Sequence, residues 1–221
     1  MIESLLPSWV RAVETSADAS EDCLWPAELA VLSRAVAKRR AEFTTVRACA
    51  RAALAQLGVP PAAILPGLRG APGWPPGVVG SMTHCAGYRA AAVAREEFAA
   101  SVGIDAEPHE PLPDGVLGMI ARPEEYTRLA ALASAAPAVH WDRLLFSMKE
   151  SVYKAWFPLT GRWLDFEGAS IAVEPAAGTF TARLQVPGPE LDGRELTGFT
   201  GRFSVSDTLV MTAIAVPAPL R

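Results

Sequence analysis

The sequence predicts an α+β fold made of two similar halves. Three observations carry this: a long helical periodicity followed by strand patterns, a second long helix past the midpoint, and a run of strand patterns after it. With 221 residues, half of them apolar, the chain can build a substantial core. The expected division is residues 1–98 and 99–221, with no visible sequence repeat relating them.

The elements follow in order. Residues up to about Ala27 carry no motif, and Ala17-Asp-Ala-Ser-Glu-Asp22 reads as an acidic loop running into Leu24-Trp-Pro26. A helical region begins at Glu28, with Val36, Phe43, Val46, Ala50, Ala53 and Leu57 as its apolar stripe. Gly58 ends it, because the residue just past a helix favours a left-handed backbone. Residues 60–77 are rich in Pro and Gly and read as an irregular loop containing Arg69 and Trp74. Strands are expected from Val78 to His84, from Arg89 to Ala94, and briefly at Val102-Gly-Ile-Asp-Ala-Glu107. Pro108-His-Glu-Pro-Leu-Pro113 is too proline-rich for regular structure, and helical turns follow at residues 116–121 and 124–133.

Proline tolerates the start of a helix, where its missing N–H would be unpaired anyway, and opposes its continuation. Pro137 and Pro158 therefore bracket one long helix ending at Phe157. Trp141, Leu145, Met148, Val152 and Trp156 recur every three or four residues as its core stripe. After a loop at residues 160–164 come strands at 171–174, 179–186, 196–204 and 208–216, with Ser206-Asp207 as a tight turn.

Charge and cysteine content exclude several classes. The net charge of −4 argues against general nucleic-acid binding, although Arg34, Lys38, Arg39, Arg40, Arg47 and Arg51 crowd one segment. Three scattered cysteines form neither a disulfide framework nor a zinc signature, and His109 and His140 stand apart from the His84-Cys85 pair. Reduced thiols and no zinc are expected. With no signal peptide and no apolar run of about 18 residues, the expectation is a cytoplasmic protein with no membrane segment.

Chemistry concentrates where Lys149, Glu150 and Lys154 interrupt the second long helix. Glu150 and Lys154 share a face with Ser147 and Tyr153, opposite the core stripe. Taken alone, such a pair is an ordinary surface ion pair of about 0.3–0.5 kcal/mol. A second acidic site accompanies it: Asp105 and Glu107 alternate along a strand, so both carboxylates face one way with Cα atoms about 6.6 Å apart. Either they mark a strand leaving the core, or they ligate a hard cation such as Mg²⁺. On the first helix Arg40, Arg47 and Arg51 fall within about 20° of a common line. That row either solubilises the helix or grips a phosphate.

Gly-Ile-Asp-Ala-Glu followed by Lys-Glu-Ser-Val-Tyr-Lys-Ala resembles the paired signature of the 4'-phosphopantetheinyl transferases, in particular the actinobacterial enzymes of the Sfp/EntD branch. Lys38-Arg-Arg-Ala-Glu-Phe-Thr-Thr-Val-Arg47, Val79-Gly-Ser-Met-Thr-His-Cys85 and Trp156-Phe-Pro-Leu-Thr-Gly161 resemble that branch in the same order.

The resemblance implies a pseudo-twofold monomer with coenzyme A as substrate in the cleft between its halves. It implies Mg²⁺, replaceable by Mn²⁺, held by Asp105, Glu107 and Glu150. Arg39 and Arg47 would hold the coenzyme's 3'-phosphate, where helix geometry pairs Arg40 with Arg47, and Arg69 of the loop would contact coenzyme A. Thr83 and His84 would touch phosphate or adenine, and Lys149 and Lys154 would neutralise phosphate charge. Phe146, Tyr153 and Trp163 either wall a channel for the pantetheine arm or pack the core. The general base is Glu150 or Glu107. The partners implied are apo acyl or peptidyl carrier proteins of fatty-acid, polyketide and nonribosomal-peptide synthesis. The same carboxylates would also suit a Mg²⁺-dependent hydrolase of nucleotide pyrophosphates.

Overall fold

In a computed structural model, which describes residues 1–219, helices and strands divide between two main antiparallel sheets and one small hairpin. The first half contains β1 (Arg11–Thr15), α1 (Pro26–Val31), α2 (Ala37–Gln56), β2 (Val78–Cys85) and β3 (Tyr88–Arg95), with sheet order β1-β3-β2. Ala50, Ala53 and Leu54 of α2 pack on Ala91 and Val93 of β3, and small residues on both sides let helix and sheet approach closely.

The second half begins with β4 (Ala99–Pro108), then α3 (Val116–Ile120), α4 (Pro123–Ala135) and α5 (Trp141–Thr160). It continues through β5 (Ala169–Glu174), β6 (Thr179–Leu184), the hairpin β7 (Glu190–Leu191) and β8 (Arg194–Glu195), β9 (Gly198–Val205) and β10 (Leu209–Pro217). Its five-stranded sheet runs β4-β10-β9-β6-β5. The expected stripe Trp141, Leu145, Met148, Val152 and Trp156 is buried in its core. The polar side of α5 is also largely covered, because the helix lies on β4 at Gly103. A Cβ there would fall 2.1 Å from the Ser151 carbonyl oxygen and 2.7 Å from Ala155 N.

The two halves meet along β2 and β4, which belong to different sheets. One edge of β4 pairs with β10. Along the other, Ser81 Oγ accepts from Ile104 N and Thr83 Oγ1 from Ala106 N, each at 3.1 Å. Hydroxyls of the Gly-Ser-Met-Thr-His run thus satisfy backbone donors that a buried strand cannot leave unpaired.

Each half also carries the same buried device. In α1, Pro26 occupies the first turn and Glu28, wholly buried, accepts from Trp25 N at 2.9 Å, Ile64 N at 2.8 Å and Arg51 Nη1 at 2.9 Å. In α4, Pro123 occupies the first turn and Glu125, 1% exposed, accepts from Arg122 N at 2.8 Å, Ile171 N at 2.7 Å and Lys149 Nζ at 2.7 Å. In both halves a glutamate caps its own helix, pins a distant backbone N–H and meets a cation from the long helix.

Several sequence expectations are corrected. The helical region from Glu28 is two helices, and Val36 is 72% exposed at the N-cap of α2 instead of joining the stripe. β1 was not expected, nor was the β7–β8 hairpin. The signature helix starts at Trp141 and runs through Pro158 to Thr160, where Gly161 at φ 64° donates to Phe157 O at 2.8 Å. So close to the C-terminus the proline forfeits only one helical bond, to the Lys154 carbonyl, and the last turn survives.

Candidate active site

Asp105 lies at the centre. It is 3% exposed, on the stretch of β4 that faces β2 and α5. Oδ1 accepts from Lys154 Nζ at 2.7 Å and from Thr83 Oγ1 at 3.2 Å, and Lys154 also donates to Ile104 O at 3.1 Å. The two signature segments are therefore joined through a lysine and an aspartate about fifty residues apart in sequence. Asp105 Oδ2 is buried and has no hydrogen-bond partner, which is costly for a carboxylate unless something cationic completes it.

Two residues along β4, Glu107 takes a hydrogen bond from Arg143 Nη1 at 3.1 Å. Burial, reinforced by the charge of Asp105, pushes the Glu107 carboxyl up to about 7, and Arg143 and Lys154 oppose this. Glu150 is half-buried; burial raises its pKa, Lys154 lowers it, and Asp105 raises it further. Asp105 is thus the negative charge that both glutamates feel. The three carboxylates do not form a ready ligand set as they lie: among the described residues no three His, Cys, Asp or Glu side chains are grouped to hold a metal ion. Lys154 and Arg143 supply the positive charge instead. An orphaned Asp105 oxygen beside two glutamates that resist ionisation is a donor set that suits a hard divalent cation.

An open cleft of about 520 Å³ leads to this centre, with Lys38, Arg39, Glu42 and His84 on one side and Glu107 and Arg143 on the other. Arg39 is exposed and its Nη1 lies 3.1 Å from His84 Nε2. Burial lowers the His84 pKa; Glu42 opposes this, and Arg39, Lys154 and Arg89 add to it.

Other expected residues are committed elsewhere. Arg40 donates through Nε to Glu21 at 2.7 Å and through Nη1 to Leu32 O at 2.8 Å. Arg47, 6% exposed, lies over the Phe43 ring, donates to Ile64 O at 2.8 Å and stands 3.8 Å from Glu28; burial pulls its pKa down to about 10. The arginines of the row are therefore engaged by Glu21 and Glu28, while Arg39 beside them stays exposed. Thr83 is 2% exposed, and its hydroxyl serves Asp105 and the β4 backbone, so it positions the aspartate and is not open to a phosphate. Lys149 is 3% exposed and surrounded by Glu125 and the carbonyls of Ile120, Phe166 and Ala169, at 2.7, 2.7, 2.7 and 3.2 Å. That shell occupies the donors of its ammonium, and Lys149 otherwise lines the small cavity beside Glu150.

A smaller cavity of about 110 Å³ lies on the other side of Glu150, lined by Tyr153, Trp163, Leu164 and Phe166. The Tyr153 ring lies tilted against Trp163 at 4.9 Å and Phe157 at 5.8 Å, and its buried hydroxyl has no partner among the described residues. Phe146 meets Phe166 at 5.8 Å. Trp163 is 58% exposed and carries the Arg69 guanidinium 5.1 Å from its ring, so the 60–77 loop reaches across to the second half.

Sequence reasoning missed Arg143 and Glu42. The signal for Arg143 was present: Arg143, Ser147, Glu150 and Lys154 are spaced four, three and four, one face of a helix. Glu42 had no comparable signal, since only the fold brings it to His84.

A cleft carrying Lys38, Arg39 and Arg143 beside a lysine-clamped aspartate suits a phosphorylated substrate, and comparison with known proteins specifies the class. The model of the 4'-phosphopantetheinyl transferase N-terminal domain matches residues 26–94, and that of the 4'-phosphopantetheinyl transferase superfamily matches residues 101–195. The chain is 62% identical over 222 residues to the 4'-phosphopantetheinyl transferase Svp of Streptomyces mobaraensis, covering 99% of this chain and 90% of that protein. It is 54% identical over 195 residues to the transferase PptT of Mycobacterium tuberculosis, covering 86% and 85%. To the transferase Npt of Nocardia iowensis it is 49% identical over 223 residues, covering 97% and 99%. The chain belongs to the 4'-phosphopantetheinyl transferases, enzymes that move the phosphopantetheine group of coenzyme A onto carrier proteins. No described helix is long and apolar enough to cross a membrane.

Proposed function

We propose that this chain attaches the 4'-phosphopantetheine arm to a serine of apo acyl- and peptidyl-carrier domains in a Mg²⁺-dependent phosphoryl transfer. The observation that carries the proposal is the 2.7 Å contact between Lys154 and Asp105, which unites the two signature segments beside an unpartnered carboxylate oxygen. Residues 1–98 supply the phosphate end of the coenzyme site, through Arg39 and His84, and residues 99–221 supply the carboxylates. Asp105, Glu107 and Glu150 would hold Mg²⁺, or Mn²⁺ in its place. The ion, when bound, neutralises charge on the diphosphate.

The remaining work falls to side chains. Lys154 is 26% exposed at its side chain and stands ready to pair with a diphosphate oxygen while holding Asp105. A carboxylate takes the proton from the serine hydroxyl, the serine oxygen forms its bond to the β-phosphorus, and the bond to 3',5'-ADP breaks. Two candidates can act as base. Glu107 is fixed by Arg143. Glu150 has no hydrogen-bond or ion-pair partner among the described residues and borders the aromatic cavity, which favours it. Tyr153, Trp163 and Phe146 offer an apolar wall for the pantetheine arm, with Arg69 at its rim. The enzyme is proposed to act as a cytoplasmic monomer on carriers of fatty-acid, polyketide and nonribosomal-peptide synthesis.

The test is to mix the protein with coenzyme A, Mg²⁺ and an apo carrier and to weigh the carrier by mass spectrometry. A transferase adds one phosphopantetheinyl group to it. Release of 3',5'-ADP with no carrier present would instead indicate a hydrolase of the coenzyme's diphosphate.

A further inference from the structure

His84 stands at the end of β2 with a charged group of α2 facing each ring nitrogen. Arg39 Nη1 lies 3.1 Å from Nε2, and Glu42 Oε2 lies 3.6 Å from Nδ1. A guanidinium only donates, so Nε2 accepts, and the single proton of the neutral ring sits on Nδ1, facing the Glu42 carboxylate. Glu42 is itself 8% exposed, with Lys38 Nζ 4.0 Å away one turn earlier. The other charges around the ring are Arg89 of β3, Glu107 of β4, and Arg143 and Lys154 of α5. Among the groups that shift the ring, Glu42 alone favours the imidazolium; burial, Arg39, Lys154 and Arg89 all oppose it.

This resting arrangement is unsuited to an anion, because Nε2 offers a lone pair where a phosphate oxygen needs an N–H. We infer that Glu42 is a positioning residue that makes phosphate binding at His84 proton-coupled. As a phosphate ester enters, Arg39 exchanges Nε2 for a phosphate oxygen. Nε2 takes one proton from solvent and donates it in a hydrogen bond to the ester. Nδ1–H closes on Glu42, which carries the balancing charge and neither gains nor loses a proton. The inference rests on placing the phosphate end of coenzyme A in this cleft. It adds that the site binds one proton with its substrate, and that a residue not touching the coenzyme sets this.

The sign follows directly. An anion beside the ring raises its pKa above that of the free enzyme, so protons are taken up at pH values between the two. Affinity weakens as pH rises through the higher one.

The experiment is calorimetric titration of the intact protein with coenzyme A, without carrier, from about pH 6 to about pH 8.5, in two buffers of different ionisation heat. Wild type, Glu42→Gln and His84→Gln are compared, so that protons on the ligand's own phosphates are common to all three. Wild type should take up a proton in the lower part of the range. Glu42→Gln should lose most of that uptake and bind about tenfold more weakly near pH 6, as a one-unit loss in the bound ring's pKa requires. Near pH 8.5 it should bind as well as wild type or better, since a carboxylate no longer opposes the phosphate. Unchanged uptake in Glu42→Gln, or a loss of affinity equal at every pH, overturns the inference. If Glu42→Gln does not fold, His84→Gln decides: retained uptake with retained binding overturns it as well. If neither His84→Gln nor Arg39→Ala alters coenzyme A affinity at any pH, the placement of the coenzyme is what fails.

Discussion

Replacing Lys149 with methionine separates two roles that sequence alone merges. The resemblance to the family puts this lysine on a phosphate, whereas the fold buries it at 3% exposure with its ammonium 2.7 Å from Glu125 and bonded to three carbonyls. Methionine keeps the apolar stem and removes the charge, stranding the carboxylate of Glu125, itself 1% exposed. Breaking one side of a buried pair costs about 3–5 kcal/mol. For a chain of 221 residues, that corresponds to roughly 6–20 °C in the unfolding midpoint. The assay pairs thermal and urea unfolding with the KM for coenzyme A. Expected is a large fall in stability with KM nearly unchanged in the protein that remains folded. Adding Glu125→Gln should recover part of the loss, because a neutral amide no longer leaves a buried charge unpaired. A Lys149→Met protein of native stability with a strongly raised KM would refute the reasoning and return the residue to the phosphate.

Four further outcomes are expected. Glu150→Gln should lower carrier modification by at least about a hundredfold with an unchanged unfolding midpoint, and near-native turnover would remove Glu150 from both base and ligand roles. Arg39→Ala should raise the KM for coenzyme A more than that for dephospho-coenzyme A. Arg47→Ala should instead destabilise the chain by about 3 kcal/mol, through the weakened Glu28 cluster, and the reverse pattern would show Arg47 to be the phosphate ligand. EDTA should abolish transfer and excess Mg²⁺ restore it, and full activity in the chelator would end the metal proposal.

What was legible in the sequence follows from the range of the signals. The α5 stripe and the β2–β3 hairpin rest on local periodicity, and both formed where expected. β1 was invisible because Arg11-Ala-Val-Glu-Thr carries too little apolar alternation to register, and pairing with β3 supplies its stability. The β7–β8 hairpin was within reach: Asp192-Gly193, both at positive φ, is a favoured two-residue hairpin turn. For the proposed site, motif spacing pointed to Asp105, Glu107, Glu150 and Lys154, and the fold brings Lys154 onto Asp105. Which arginine of the 39–51 cluster stays free was not readable, since Glu21 and Glu28 capture Arg40, Arg47 and Arg51 from outside the helix.

The two halves show no sequence repeat but share one local feature: Pro26-Ala-Glu28 and Pro123-Glu-Glu125 each place a proline at a helix start and a buried glutamate two residues on. Its partner in the second half is Lys149, the first residue of the Lys-Glu-x-x-x-Lys motif, which the fold holds in the core while Glu150 and Lys154 stand near Asp105. Neighbouring helical residues diverge by about 100°, so a side chain clamped in the core fixes the direction of the next. Glu125 anchors Lys149 on the buried side of α5. Glu150 is thereby turned toward the aromatic cavity, and Lys154, a further turn along, is turned toward Asp105. A helix free to roll by half that angle would lose the 2.7 Å contact on which the site depends. Lys149 thus adds to the buried apolar stripe in fixing the rotation of α5, and its share in the proposed reaction is indirect.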